Sequence, residues 1–436
     1  MKYVGGIVVV AVVAAAGYGI YETTKPKETI QFFVPETSSP EEEIYKEIFS
    51  KVSLEIPKTE FQLNVITEKY HETVLEVYES GKQVDVFYVD SPLAMLFIAG
   101  DALLPVKELV SEEYVERFYE FLLEPFRGSD RRIYALPARW SMLAMFYNRE
   151  LFDEAGLDRP PETWKELVSQ AEAITDTTAV PGLALFADRF DFYLAYALAE
   201  GVKQPSFLIP YDPDPPIKRA DWFNRPEVRN SMSNWIDLYV KGNTERKAIG
   251  QKPYVATPTD VKATSLAEAF GSNKVAIITA DSQTIPYLVK QFPSFEYEGH
   301  WDIAPLPAGA KARATMAYVL GIGVTPRTTD TSAAWALVES ILSEEMQEKL
   351  LIKTGLALPS LKTLTSPQLV WPQHAKTLTQ MSSYDVIMPW FTGRKHTELV
   401  PKLEEIMHSA MIKEISIETA LDKMYERALD ILTKPI

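Results

Sequence analysis

Side chains able to do chemistry are plentiful in this 436-residue chain, but they are not spaced for catalysis. The five histidines, His71, His300, His374, His396 and His408, are scattered, and no two stand at a metal-ligand spacing. There is no Gly-x-Ser-x-Gly elbow, no His-Glu-x-x-His helix and no Walker loop. Gly321-Ile322-Gly323 lies inside an apolar stretch and lacks the third glycine of a dinucleotide loop. Cysteine is absent, which removes thiolate nucleophiles, thiolate zinc sites, disulfides and a lipidated N-terminal cysteine. Among 60 Asp and Glu some pair always looks placed for glycoside hydrolysis, so acids alone indicate no hydrolase. The expectation is a non-enzymatic protein with no cofactor and no metal.

The chain's length of 436 residues exceeds what one hydrophobic core usually serves, so two lobes are expected. The 46% hydrophobic and 24% charged content is that of an ordinary folded protein. Aromatics at 11% suffice for a core with some left to line a binding site. The 44 Lys and Arg against 60 acids give a formal charge of −16 without any dense basic run, which excludes a nucleic-acid partner.

The N-terminus sets the compartment. One lysine, Lys2, precedes an apolar run from Ile7 to Ile20, and the polar stretch Glu22 to Glu28 follows. This is the layout of a signal peptide, with Ala14-Ala15-Ala16 as small residues for cleavage. Counting Tyr3, Val4 and Tyr21 as interfacial flanks brings the run near the ~20 residues of a membrane span, so a retained anchor is the alternative. Gly5-Gly6 also resembles the processing site of pilin-like signals. Residues 1–28 are assigned as signal peptide or membrane anchor plus linker.

From Thr29 onward, strand candidates alternate with helical patterns. The strands are Ile30–Val34, Phe61–Ile66, Val84–Val89, Leu143–Tyr147, Leu183–Phe186, Val275–Thr279, Trp301–Ala304 and Tyr318–Val324. Several are unbroken apolar runs, as expected where helices cover both sheet faces. Thr163 caps a helix with Glu166 three residues on, and Trp164, Leu167, Val168, Ala171 and Ile174 form its apolar face. Further helices span Ser332–Leu342 and the stretch from Ser416. Pro205–Pro226 breaks the rhythm and reads as an irregular surface excursion. The alternation predicts an α/β protein.

The stretch Tyr134-Ala135-Leu136-Pro137, then Phe146-Tyr147-Asn148 through Ala155-Gly156-Leu157 and Pro160-Pro161-Glu162-Thr163-Trp164-Lys165-Glu166-Leu167, resembles the extracellular solute-binding proteins of carbohydrate ABC importers. The group includes the maltodextrin and trehalose/maltose receptors. Val84–Asp90, Ala269–Ala276, Ile303–Pro307 and the Ala334-Trp335 helix are similar to the family's other blocks and stand in its order. The resemblance implies a periplasmic-binding-protein-like fold, two α/β lobes joined by a three-crossing hinge that closes on ligand. Mapped here, the crossings fall near Pro137–Arg139, Ala304–Pro307 and Leu358–Ser360. Lobe one then holds residues 29–137 and 305–357, and lobe two holds 138–304 and 358–436.

A sugar offers hydroxyl pairs and a weakly apolar face, so its receptor needs carboxylate, amide or guanidinium partners and an aromatic platform. These belong at the carboxyl ends of strands. The resemblance places Asp90 and Ser91 in a ligand loop, where Asp90 is either a contact or a helix N-cap. Glu36 follows the first strand as a contact or a solvated acid. Arg139 is a bidentate donor or an inter-lobe salt bridge, and Trp140 is a stacking platform or hinge packing. Ala280-Asp281-Ser282-Gln283 stands where the family carries a Gly-x-Trp turn, so a polar set replaces the expected aromatic. Trp390 and Phe391 fall in the C-terminal aromatic loop, and Tyr318 lies near a loop of backbone contacts. Trp164, Trp235 and Trp335 sit on helical faces and are expected in the core.

The implied function is capture of a sugar or oligosaccharide and delivery to separate permease subunits by a monomeric, extracytoplasmic protein tethered through its N-terminal segment. The alternatives are a same-fold receptor for a peptide, phosphate ester or metal, an exported glycoside hydrolase, or a pilin-like surface protein. For an anionic ligand only Arg139 and Arg189 are loop candidates.

Overall fold

A computed structural model describes residues 7–10, 28–208, 214–364, 376–377, 380, 383–390 and 395–434. In chain order the strands are β1 (Ile7–Val10), β2 (Glu28–Pro35), β3 (Thr59–Ile66), β4 (Val86–Asp90), β5 (Leu136–Asn148), β6 (Leu183–Ala184), β7 (Val255–Ala256), β8 (Ile277–Asp281), β9 (Trp301–Ala304), β10 (Ala314–Val324), β11 (Leu358–Pro359) and β12 (Val386–Pro389). The helices used below are α1 (Ser39–Glu55), α2 (Tyr70–Glu79), α3 (Trp164–Thr178), α4 (Phe190–Ala199), α5 (Pro226–Tyr239), α6 (Thr331–Ile341), α7 (His396–Met411) and α8 (Ile417–Thr433). Two compact units emerge: residues 1–140 with 319–370, and residues 141–318 with 371–436.

In the first unit β2 runs parallel to both β3 and β4, and β4 is antiparallel to the second half of β10, with Leu320 opposite Asp90. Ile30, Phe32, Val34, Val86, Phe87 and Val89 are all buried. That double-sided burial is why these strands read as continuous apolar runs rather than alternating ones. β1 lies antiparallel to β3; the rest of the N-terminal apolar run is outside the described residues. Among the described residues no helix is long and apolar enough to cross a membrane.

In the second unit β5 is antiparallel to β8 and β9, β8 is parallel to β6, and the first half of β10 is parallel to β12. Phe146, Phe270, Ile278, Phe295 and Trp301 form the heart of one core cluster. α3 begins as expected, with the Thr163 hydroxyl accepting from the Glu166 N–H. Trp164 and Trp235 are buried and pack edge to face at 5.7 Å between centroids, so both serve the core.

The chain passes between units at different places from those expected. The first passage follows Trp140 and the second follows Tyr318, both inside unbroken strands, β5 and β10. Residues 305–318 stay with the second unit because Ala308 donates to the Glu162 carbonyl, Lys311 and Ala312 donate to the Ala199 carbonyl, and Thr315 donates to the Leu143 carbonyl. Leu358–Ser360 stays with the first unit because β11 pairs with Arg139 and Trp140 and because Gln347 brackets Ser360. The third passage falls in 365–375, outside the described residues.

The Pro205–Pro226 stretch is a correction. Residues 209–213 are outside the described residues, but Pro216–Ala220 is helical and Phe207, Trp222 and Phe223 are buried against Phe190. Pro216 and Pro226 sit at helix starts, where a missing N–H costs nothing, and so do not mark a surface excursion.

Candidate functional site

Each unit brings a set of candidate side chains to the carboxyl edge of its own parallel strands, where α/β sheets hold ligands. In the first unit β2 ends at Pro35, and Glu36 follows it exposed to solvent. β4 ends at Asp90, whose carboxylate is half exposed. Asp90 precedes a short helical turn but makes no side-chain cap bond there. Its backbone N–H instead donates to His71 Nε2 at 3.0 Å, and its Oδ2 lies 3.7 Å from His71 Nδ1. Burial lowers the pKa of His71, with the Asp90 charge opposing. The neutral ring that results is the form able to accept that N–H.

The remaining candidates of this unit are engaged internally. Ser91 is buried, and its Oγ accepts from Val319 N–H at 3.4 Å. Arg139 reaches Glu41 at 3.4 Å within its own unit, and stands 5.9 Å from the centre of the Tyr88 ring. Glu41 also closes the start of α1, its Oε2 accepting from the Ser38 N–H and hydroxyl at 2.8 and 2.9 Å. Trp140 is 1% exposed, donates its indole N–H to the Pro359 carbonyl at 2.9 Å and packs edge-on to Phe121.

In the second unit the edge is built by β6, β8 and β10. Gly182 brings β6 against α3: a Cβ there would lie 2.0 Å from the Ala171 carbonyl oxygen, and Gly182 N–H donates to Thr175 Oγ1 at 2.8 Å. Five residues beyond β6, Arg189 opens α4. Its Nε donates to Asp191 Oδ1 at 3.0 Å, a second guanidinium nitrogen donates to Oδ2, and the charge stands 5.3 Å from the Phe192 ring centre. Asp191 is buried, and Tyr318 donates its hydroxyl to the same Oδ2 at 2.7 Å. Burial, reinforced by the Asp191 charge, raises the Tyr318 hydroxyl well above its usual range, so it stays a donor.

β8 ends at Asp281, two residues further than the sequence suggests, because Asp281 still pairs with Leu143. Burial raises its carboxyl pKa; the Gln283 N–H and the Arg189 charge draw it back. Ser282 is buried, its N–H donating to the Met142 carbonyl at 2.9 Å and its hydroxyl accepting from the Met142 N–H at 3.4 Å, and Gln283 is exposed. Glu404 of α7 accepts from Phe190 N–H at 3.0 Å, and burial raises its pKa as well. Trp390 is buried and donates its backbone N–H to the Ala317 carbonyl at 2.7 Å. Phe391 is outside the described residues. Tyr318 stands in a strand rather than beside a loop.

Sequence reasoning missed Asp191 and Glu404 and weighed Arg189 only against anions. The available signal was Arg189-x-Asp191 five residues after a short strand, at the start of a wholly buried helix. No group of acids and histidines suited to a metal occurs among the described residues.

Residues 38–348 match the model of the bacterial extracellular solute-binding proteins. The chain belongs to that family. A member is a receptor for a solute outside the cytoplasm, which agrees with the binding-only chemistry of the residues. Binding proteins of Brucella abortus and Brucella suis are 23% identical over 276 residues, 62% of this chain and 61% of theirs, so the match spans under two thirds of those relatives. Among solved structures, the Listeria monocytogenes ABC substrate-binding protein in complex with cycloalternan has a TM-score of 0.72 at 15% identity, covering 93% of this chain and 98% of that one. The cyclic α-maltosyl-1,6-maltose binding protein of Arthrobacter globiformis gives 0.73 at 15%, with the same coverage. A maltose-bound T. maritima protein gives 0.69 at 18%, covering 92% and 98%. At these identities the likeness establishes the shared fold, the periplasmic-binding-protein α/β fold.

Proposed function

We propose that this family member is the sugar- or oligosaccharide-binding component of an ABC importer, working outside the cytoplasm as a monomer and handing its ligand to separate permease subunits. The observation that carries the reading is the second unit's strand edge, where Asp281, Arg189 and Gln283 offer acceptors and donors suited to hydroxyl pairs. The sugar complexes among the structural neighbours support the same ligand class. Asp90 and Glu36 are the first unit's proposed contacts; Arg139, Ser91 and Trp140 hold its frame. An N-terminal signal peptide or membrane anchor within residues 1–28, cleaved or retained, belongs to this reading too.

The test is thermal melting and calorimetry of the full chain with maltose, D-tagatose, cycloalternan and cyclic maltosyl-maltose. At least one sugar is expected to bind at micromolar Kd, raising the melting temperature at 100 Kd by an amount equivalent to about 2.7 kcal/mol, and to be recovered intact. Indifference to all four, or cleavage of any, overturns the reading.

A further inference from the structure

Arg189 is the half-exposed charge of an otherwise buried assembly. Its side chain is 46% exposed, whereas the Asp191 that holds it is 1% exposed. Three constraints fix the guanidinium: two donors to one carboxylate, the Phe192 face beneath it, and the Tyr318 hydroxyl on the carboxylate's Oδ2. Asp191 is itself fixed, because its Oδ1 also accepts from the Phe192 N–H at 3.0 Å. A guanidinium carries about five N–H donors in a rigid fork, and Asp191 takes two, which leaves about three facing away from it. Donors held in place before a ligand arrives cost little entropy when it binds.

The surrounding charge decides what those donors accept. Asp281, Glu404 and Asp188 all act electrostatically on this assembly, beside Asp191. Against these carboxylates stands the Arg189 guanidinium, while the His408 ring lies 3.1 Å from Asp188. An anionic group brought to Arg189 would meet more negative than positive charge. A neutral hydroxyl pair would not: its oxygens accept from the guanidinium while its hydrogens are given to Asp281. β6 and β8 are parallel neighbours, with Ala184 opposite Ile278, so Arg189 and Asp281 follow from the same sheet edge.

We infer that Arg189 and Asp281 form a clamp for a neutral vicinal diol, with Asp191 and Tyr318 as positioning residues that aim the guanidinium. This rests on the sugar-receptor reading and narrows it: uronic acids, sugar phosphates and free phosphate are rejected.

The experiment measures Kd by calorimetry for whichever of the four sugars binds, together with digalacturonate and inorganic phosphate. Arg189→Gln is expected to weaken the sugar about 100-fold, and Arg189→Lys to recover at most about threefold, because an ammonium lacks the fork. Tyr318→Phe is expected to cost about tenfold alone and nothing further when added to Arg189→Gln, since its effect runs through that guanidinium. A merely structural Tyr318 would weaken both backgrounds alike, which would overturn the positioning role. Arg159→Gln, which breaks a surface pair with Glu166 that includes neither Arg189 nor Asp281, is the unchanged control. Sugar binding that survives Arg189→Gln within twofold, or digalacturonate or phosphate binding more tightly than the sugar, overturns the clamp and leaves the receptor reading standing. Failure of all four sugars overturns both.

Discussion

The two units present polar side chains at equivalent strand ends, yet they hold them in opposite ways. In the first unit the strong donors are turned inward: Arg139 is paired with Glu41, and Ser91 is buried against β10. Of the candidates described in that unit, Asp90 and Glu36 remain toward solvent. In the second unit buried Asp191 and half-buried Tyr318 serve to hold a charged donor outward. A network of the same residue types thus acts as a brace in one unit and as a presenting arm in the other. Recognition strength should follow the second arrangement, because only there are the exposed groups fixed in advance.

The largest test of that contrast compares Asp281→Asn with Asp90→Asn. Losing a charge-assisted acceptor should weaken sugar binding about 10- to 100-fold at Asp281, and less than about fivefold at Asp90. Stability should move the other way at Asp281. Its pKa is raised in the folded protein by burial, so the stability it contributes is complete below its usual value of 3.8 and is lost as pH rises through the raised value. At neutral pH the asparagine protein should therefore melt higher, by about 2 °C, and the gain should vanish in acid. Equal losses of affinity at the two positions would break the comparison.

A smaller effect separates brace from platform. Trp140→Phe keeps most of the ring volume but leaves the Pro359 carbonyl without its donor, which should cost about 1–2 kcal/mol in denaturant unfolding. Affinity should stay within about twofold. A tenfold loss of affinity without a stability change would restore Trp140 as a stacking surface.

Which parts were legible in the sequence follows from the range of the interactions. Local signals held: the Thr163 cap with its apolar face, the doubly buried strands, and the solute-receptor blocks between Tyr134 and Leu167. The unit boundaries differ from those that the resemblance implied near Pro137–Arg139, Ala304–Pro307 and Leu358–Ser360. The chain instead changes units within β5 and β10, whose two halves pair with different partners. Nothing in a continuous apolar strand announces which neighbour each half will find. Asp191 escaped notice for a similar reason, since its meaning depends on Tyr318, 127 residues away. Trp140 showed the converse: its type suggested a platform, and only the fold reveals that its N–H is spent.

The smallest effect concerns how firmly the first unit holds Asp90. Its backbone N–H donates to His71 Nε2, a bond worth about 0.5–1.5 kcal/mol that exists only while the ring is neutral there. Burial lowers the His71 pKa below its ordinary 6.5, although Asp90 pulls the other way. For a depressed pKa the contribution is whole above 6.5 and is lost as pH falls through the lower, folded value. Hydrogen exchange at Asp90 and the unfolding free energy should therefore both report a loosening on acidification beneath 6.5. His71→Gln supplies an amide oxygen that accepts at every pH, so it should flatten that response while leaving neutral-pH stability nearly unchanged. An acid response that persists undiminished in His71→Gln would place the sensitivity elsewhere and leave Asp90 held by the strand alone. The half-exposed Asp90 carboxylate would then be as rigid as the second unit's arm, and rigidity could no longer explain a difference in affinity between them.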